Sequence, residues 1–334
     1  MKILVTGGAG YIGSHTCVEL LESQHDVVVV DNFSNSSPKA VERVEALTNK
    51  KITCYEVDIC DVELAQVFEE HQFDAVIHFA GLKAVGESTK EPLSYYQHNV
   101  QGSLNLLRMM KKHGVKTLIF SSSATVYGQA KIVPIDETSQ LQPQSPYGQT
   151  KLMVEQMCKD LSAAQDDFTA VMLRYFNPVG AHQSGMIGEN PTGIPNNLLP
   201  FISQVAVGTH PELRVFGNDY NTVDGTGVRD YIHVVDLAQG HVKALEALHQ
   251  SNQFTTLNLG SGKGYSVLEV VDAFSKLNDV KVPTIFVPRR QGDVEICYAA
   301  CDKANQLLDW ETKLSLSDMV IDTWRWQTNN PQGY

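Results

Sequence analysis

Lys2-Ile3-Leu4-Val5-Thr6-Gly7-Gly8-Ala9-Gly10-Tyr11-Ile12-Gly13 opens the chain, and its reading decides the fold. Lys2 to Thr6 reads as a short buried strand that empties into glycines. A helical pattern follows, with Ile12, Cys17, Val18, Leu20 and Leu21 apolar, and then Val27 to Val30, ending at Asp31. A strand, a glycine turn, a helix and a second strand therefore fill about thirty residues. The glycines fit two registers, Gly8-x-Gly10-x-x-Gly13 and Gly7-x-x-Gly10-x-x-Gly13, which share Gly10 and Gly13. Either lets the backbone approach a pyrophosphate, whose charge is favoured at the helix N-terminus. Asp31 lies 18 residues beyond Gly13, at the carboxyl end of the second strand. A carboxylate there accepts hydrogen bonds from an adenosine ribose and repels a 2'-phosphate, so the stretch predicts NAD over NADP.

The alternation continues outward from this unit. Ile52 to Val57 reads as a strand ending at Asp58-Ile59, and Ala75 to Phe79 as one ending at Ala80-Gly81-Leu82-Lys83. Asp58 suits an adenine amino group, Ile59 its apolar face, and Gly81 a close approach to phosphates, although generic strand-end chemistry reads the same way. Pro92 opens a long helix to about His113, with Leu93, Tyr96, Val100, Leu104 and Leu107 as its stripe and Asn99 between them. Thr117 to Phe120 is the next strand, followed by Ser121-Ser122-Ser123-Ala124-Thr125. Three serines often mark only a turn, but here they fall where a doubly wound parallel sheet places its ligand.

Pro146 starts the helix that carries Tyr147-Gly-Gln-Thr-Lys151. At i and i+4 the phenol and the ammonium share a face. A nearby cation favours an ionised acid, so Lys151 is expected to pull the Tyr147 phenol below its usual value of about 10 and make it a proton acceptor. An ordinary helix shows the same spacing. Val154 and Cys158 continue this face, while Met153, Met157 and Leu161 lie roughly 200° around the helix and need a second cover. A homodimer through the helices at about 92–113 and 147–165 would supply it, as would burial within one subunit. After the strand Thr169 to Arg174, residues 181–230 become rich in Gly, Pro and Asn. Helical patterns return at Val235 to Leu248 and Val267 to Leu277, so two regions interleave. Residues 1–176, with a return at about 232–258, form the expected dinucleotide domain, and 177–334 mainly a substrate domain. The fold class is α/β, a doubly wound (Rossmann) sheet with a smaller, interleaved C-terminal domain.

Bulk properties narrow the partners. The chain has 334 residues, 43% hydrophobic content and a formal net charge of -12. Without a basic patch, nucleic acid is not an expected partner. No apolar run suggests a membrane span, and Met1 to Thr6 is too short for a secretory signal. The six cysteines contain no C-x-x-C pair and the eleven histidines no H-E-x-x-H, which fits a cytoplasmic enzyme with reduced thiols and no metal.

Over essentially its whole length the chain resembles the UDP-glucose 4-epimerase (UDP-galactose 4-epimerase) family of the extended short-chain dehydrogenase/reductases. The shared superfamily motifs are Thr6-Gly7-Gly8-Ala9-Gly10-Tyr11-Ile12-Gly13 and Tyr147-x-x-x-Lys151. More specific are the stretches His78 to Ser88, Arg174 to His182, and Asp224 to Val234. The resemblance implies Tyr147 as base, Lys151 as its partner on the nicotinamide ribose, and Ser123 bridging the sugar 4-hydroxyl. It implies an NAD site lined by Gly7, Gly10, Tyr11, Ile12, Gly13, Asp31, Asn32, Asn35, Ser36, Asp58, Ile59, Phe79, Ala80, Gly81, Lys83, Asn99 and Phe176. For the UDP-sugar it implies Asn177, Asn197, Arg214, Val215, Phe216, Arg229, Arg290 and Asp293.

Cys297 departs from the pattern, because many bacterial relatives have a bulky tyrosine there, beside the sugar. The smaller side chain leaves room for a 2-acetamido group, so UDP-GlcNAc and UDP-GalNAc join UDP-glucose and UDP-galactose as expected substrates. The implied reaction is C4 epimerisation through a 4-keto sugar with transient hydride transfer to bound NAD. A nucleotide-sugar 4,6-dehydratase shares the hydride step but needs a further acid and base, which such relatives place as adjacent carboxylates where this chain has Ala124-Thr125. Net dehydrogenation by an NAD-dependent UDP-sugar oxidoreductase would need freely exchanging cofactor. A non-catalytic NAD-sensing module would have no use for the Tyr147/Lys151 pair.

Overall fold

The computed structural model describes residues 1–193, 195–290 and 293–334. Its frame is a seven-stranded, fully parallel sheet, with strand order β10-β6-β5-β4-β1-β2-β3. The strands are β1 (Lys2–Thr6), β2 (Asp26–Asp31), β3 (Thr53–Glu56), β4 (Ala75–His78), β5 (Thr117–Ser123), β6 (Thr169–Tyr175) and, after three strands of a second lobe, β10 (Phe254–Leu259). The order reverses between β1 and β4, and at such a switch point a crevice opens beyond the carboxyl ends of the strands.

Successive side chains of a strand point to opposite faces, and both faces here are covered. Ile3, Val5, Val27, Val29 and Ile77 pack under α1 (Tyr11–Glu22), α2 (Pro38–Thr48) and the later helix α9 (Val234–Leu248). Leu4, Val28, Val30, Val76 and Phe120 pack under α3 (Leu64–Glu70), α6 (Gly102–His113) and α7 (Pro146–Ala164). Two short helices, α4 (Val85–Ser88) and α5 (Pro92–Tyr95), precede α6.

Two expectations change. The segment 92–113 is helical throughout, but Tyr96–Gln101 forms a π-helical turn between α5 and α6. The wider turn shifts the phase of the helix, so Tyr95, Asn99, Gly102, Ser103, Leu106 and Met110 face inward, while Leu93 is 81% exposed. A Cβ at Gly102 would lie 2.7 Å from the end of the Ile59 side chain, so a larger residue there would have to displace Ile59. The serines 121–123 are the last residues of β5 rather than a turn, each paired in register with β6.

The second lobe has its own core, including Leu199, Ile202, Val215, Tyr231, Phe274 and Val320. It contains β7 (Asn177–Val179), α8 (Leu198–Ala206), β8 (Leu213–Phe216) and β9 (Val228–His233). Beyond β10 come β11 (Gly264–Ser266), α10 (Val267–Asn278), β12 (Thr284–Val287), β13 (Ile296–Cys297), α11 (Asp302–Leu308) and α12 (Leu316–Asn329). Because α9 and β10 return to the large sheet between β9 and β11, the chain crosses between the lobes several times.

Candidate active site

The glycine turn follows β1 at the switch point. Gly7 has φ +71°, a left-handed conformation that favours glycine, and a Cβ on Gly13 would sit 2.2 Å from the Gly7 carbonyl oxygen. Gly10 caps α1 without a side chain, which leaves the first N–H groups of the helix, those of Tyr11, Ile12 and Gly13, directed beyond its end. Asp31, buried at the end of β2, accepts from the Ala9 N–H (3.0 Å), the Phe33 N–H (3.0 Å) and the Ser36 hydroxyl (2.7 Å). A carboxylate has about four acceptor sites, so one remains for a ribose hydroxyl. This turn and carboxylate suit a dinucleotide.

Most of the other residues expected at the cofactor lie on the segments that follow β1, β2, β3 and β4. Asn32 donates to Asp58 (2.7 Å), whose other oxygen accepts from the Cys60 N–H (2.8 Å). Asn35 is exposed on the loop after β2. Ile59 is buried, with its side chain against Gly102. The Phe79 and Ala80 N–H groups both bond the Thr6 carbonyl, and the Phe79 ring lies 4.8 Å from that of His241. Asn99 is buried with its amide committed: it accepts from the Leu82 N–H (2.8 Å) and donates to the Leu82 carbonyl (3.0 Å) and the Thr150 hydroxyl (3.1 Å). It ties the Gly81 loop to α7. Tyr11 donates to the Gly180 carbonyl in the second lobe (2.7 Å). Lys83 pairs with Glu189 (3.1 Å), and Asn197, at the start of α8, donates to the same carboxylate oxygen (2.7 Å).

Tyr147, Lys151 and Ser123 come together where β5 meets α7. The Ser145 hydroxyl accepts from the Gly148 N–H (3.1 Å) and starts the helix, with Pro146 in its first turn. Tyr147 and Lys151 are both buried. The Lys151 ammonium donates to the Ser121 carbonyl (2.7 Å) and lies 4.8 Å over the Phe120 ring, against 5.9 Å over the Tyr147 ring. Burial lowers Lys151 to about 8, with Glu155 opposing. Burial likewise pushes Tyr147 up to about 12, and a hydrogen bond with Ser123 works against it. The expected depression of the phenol by Lys151 is therefore absent in the protein alone: the ammonium points at a carbonyl, and desolvation dominates. The Ser123 hydroxyl accepts from the Thr125 N–H (3.2 Å) and hydroxyl (3.0 Å), which leaves its own proton to donate.

In the second lobe, β9 and β13 pair so that Cys297 stands opposite Arg229. Arg229 reaches Asp293 at 3.5 Å. Cys297 packs in a small apolar cluster with Phe176, Ala124 and Leu152, which links it to the ends of β5 and β6 and to α7. Arg290 lies 3.8 Å over the Phe216 ring. Asn177 and Arg214 are exposed, the first at the start of β7 and the second on β8. The Val215 side chain points inward to the lobe's own core, which leaves its main chain to meet a ligand. A cleft of about 450 Å³ among α1, α9 and the 305–313 segment contains none of these residues. Convergent chemistry, not volume, marks the site.

Reading the residues in sequence missed Glu155 and Thr150, though both sit on α7 within a turn of the Tyr147/Lys151 pair, and Glu189, whose partners are 106 and 8 residues away. Helical spacing could have flagged Glu155, four residues beyond Lys151. Nothing in the sequence marks Glu189.

A parallel sheet with a glycine turn at its switch point and a Tyr/Lys/Ser cluster beside it defines a dinucleotide-dependent enzyme of the extended short-chain dehydrogenase/reductase type. Residues 4–323 match the family model described as GDP-mannose 4,6 dehydratase. The chain is 57% identical to the UDP-glucose 4-epimerase of Bacillus subtilis (strain 168), over 100% of this chain and 99% of that protein. It superposes on the UDP-glucose 4-epimerase of Bifidobacterium longum, solved in complex with NAD+ and UDP, with a TM-score of 0.97, 51% identity and 100% of both chains covered. The enzyme from Stenotrophomonas maltophila, with bound NAD and formylated UDP-arabinopyranose, matches with a TM-score of 0.97 and 51% identity over 99% of each chain. The chain belongs to the UDP-glucose 4-epimerase family.

Proposed function

We propose that the protein interconverts UDP-galactose and UDP-glucose by C4 epimerisation with NAD. One observation carries the reading: Tyr147 and Ser123 lie together where β5 meets α7, and Lys151 is held one turn along by the Ser121 carbonyl, at the carboxyl end of β5. Tyr147 takes the proton of the sugar 4-hydroxyl, with Ser123 donating to the same oxygen, and later gives it back. NAD, once bound, supplies the acceptor for the C4 hydride, the donor that returns it to the other face of the 4-keto sugar, and a positive charge that favours an ionised phenol nearby. Lys151 keeps a cation one helical turn from that phenol and would bond the nicotinamide ribose. Gly7, Gly10, the N–H groups of Tyr11 and Ile12, Asp31, Asn32, Ser36, Asp58 and the Gly81 loop hold the dinucleotide. Arg229 and Arg290 meet the UDP phosphates, since guanidinium forks suit phosphate oxygens.

Residues 1–176, with the return at about 232–258, serve as the NAD domain, and the remainder of 177–334 serves as the UDP-sugar domain. Tight anchoring belongs on the UDP so that the hexose can turn. A cysteine at 297, in the same apolar cluster as Phe176, leaves room for a 2-acetamido group, so UDP-GalNAc and UDP-GlcNAc are substrates too.

Dehydration is the less supported reading. Ala124 has no acid, and the Thr125 hydroxyl is turned onto Ser123, so no second acid and base follows the serine. A homodimer through 92–113 and 147–165 is supported by the exposed Leu93 and Met153 on those helices. A cytoplasmic location is supported by six cysteines that are all free thiols. Among the described residues no helix is long and apolar enough to cross a membrane. Adding UDP-galactose to the purified protein without cofactor tests the function: UDP-glucose should form, and its absence even with added NAD would overturn the reading.

A further inference from the structure

We propose that Ser122, Glu155 and Arg174 are positioning residues for this reaction, holding the Lys151 cation and the Tyr147 phenol in register with Ser123. The proposal rests on the site reading above and concerns residues that reading does not use.

The geometry is a clamp between one helix and three strands. Ser122 on β5 stands opposite Arg174 on β6, and Arg174 stands opposite Asn258 on β10, so the three form one row across the sheet. Glu155, on the turn of α7 after Lys151, reaches down to that row. One of its carboxylate oxygens accepts from the Ser122 hydroxyl and from Arg174 Nε (2.9 Å), and the other accepts from Arg174 Nη2. Arg174 Nη1 donates to the Tyr127 hydroxyl (3.1 Å), which in turn donates to Asn258 (2.7 Å). Tyr127 follows directly on the short turn after Ser123. Ser122, Glu155, Arg174, Tyr127 and Asn258 are all buried.

Each of the three serine positions thus faces a different residue of α7. The Ser121 carbonyl takes the Lys151 ammonium, the Ser122 hydroxyl takes Glu155, and Ser123 lies beside Tyr147. Two successive turns of α7 are therefore pinned to two successive residues of β5. A buried ion pair is weak support for stability, because desolvation consumes much of the attraction. A pair placed one helical turn from the reacting groups has another use: it sets the height of α7 over β5, and it places an anion beside Lys151. The titratable groups that interact with Lys151 are Glu155 from its own helix and His78 from β4; the Tyr147 ring lies 5.9 Å away, and Arg174 on β6 is paired with Glu155. Glu155 is the anion among these groups, and it opposes the loss of the Lys151 proton.

The test measures kcat and KM for UDP-galactose between pH 6 and 10, using holoenzyme. Ser122→Ala strands no charge, since Arg174 still pairs with Glu155. It should lower kcat by about tenfold, the scale of one misplaced proton-transfer contact, with KM within about twofold, and Ser122→Thr should restore most of the loss. Glu155→Gln keeps acceptors for Ser122 and Arg174 but removes the negative charge. Without the anion Lys151 loses its proton earlier, so the alkaline limb of the kcat profile should move to lower pH. A folded Ser122→Ala protein with wild-type kcat, or a folded Glu155→Gln protein with an unmoved alkaline limb, would overturn the proposal. If Glu155→Gln does not fold, Ser122→Ala and its threonine rescue decide alone. A wild-type protein inactive on UDP-galactose would instead remove the site reading, and the proposal with it.

Discussion

Gly13→Ala should empty the dinucleotide site while leaving the fold in place. A Cβ at 13 would lie 2.2 Å from the Gly7 carbonyl oxygen and 2.9 Å from the Gly8 Cα. Both are backbone atoms of the turn itself, so no side chain can swing away. Ordinary contact requires about 3.2 Å or more, so the turn must move by roughly 1 Å relative to α1; overpacking of this kind costs about 1–3 kcal/mol. The same movement turns the N–H groups of residues 11–13 off any pyrophosphate. Losing two or three such bonds, at about 1.5 kcal/mol each for a charged acceptor, weakens NAD by about 10²-fold or more. NAD content of the purified protein and the Tm with and without added NAD report both effects. Gly10→Ala, whose Cβ meets only the Gly7 oxygen at 3.2 Å, should be milder, and Gly86→Ala, with nothing within 4 Å, should behave as wild type. A Gly13→Ala protein that retains stoichiometric NAD and an unchanged Tm would refute the reasoning.

Replacing Tyr147 with Phe removes the proton carrier and should cost about 10²-fold or more in kcat; a near-normal rate would contradict the assignment. UDP-GalNAc should be epimerised under conditions where UDP-galactose reacts, and failure to turn over would sink the idea that Cys297 leaves room for the acetamido group. His15 and His78 are held near 3 and His241 near 4 by burial. Between those values and the ordinary 6.5 the unfolded chain binds more protons than the folded one, so stability falls as pH drops below about 6.5. Glu19, raised to about 7 by burial, works against one of the three. Each net proton contributes at most about 1.4 kcal/mol per pH unit, and denaturant midpoints should fall steadily from pH 6.5 to 5; a flat series would be inconsistent with neutral buried histidines.

Much of the frame was legible because parallel strands buried on both faces read as unbroken apolar runs. Lys2–Thr6 and Val27–Asp31 are such runs, and the glycines between them announce the switch point. The Tyr147/Lys151 face of α7 was legible for a similar reason, since helical spacing alone places Val154 and Cys158 inward. The phase of 92–113 was not, because a π-helical turn at 96–101 leaves no signature in an apolar count. The Tyr147 phenol illustrates a different limit. Spacing shows that an ammonium is four residues away, but the direction of that ammonium and the depth of burial are tertiary facts, and together they raise the phenol instead of lowering it. The Glu155–Arg174 pair depends on the register of β5 against β6 and could not be paired from sequence separation. Asn99 shows the converse: the sequence placed it correctly on the helix, and the structure commits its amide to Leu82 and Thr150.

The central claim is that hydride leaves and returns to C4 within one bound complex while Tyr147 lends and recovers a proton. UDP-galactose labelled with deuterium at C4, incubated with the holoenzyme and no added cofactor, tests it most directly. The UDP-glucose formed should keep the deuterium at C4 with none released to water. Loss of the label to solvent, or its accumulation in free reduced cofactor, would contradict the account.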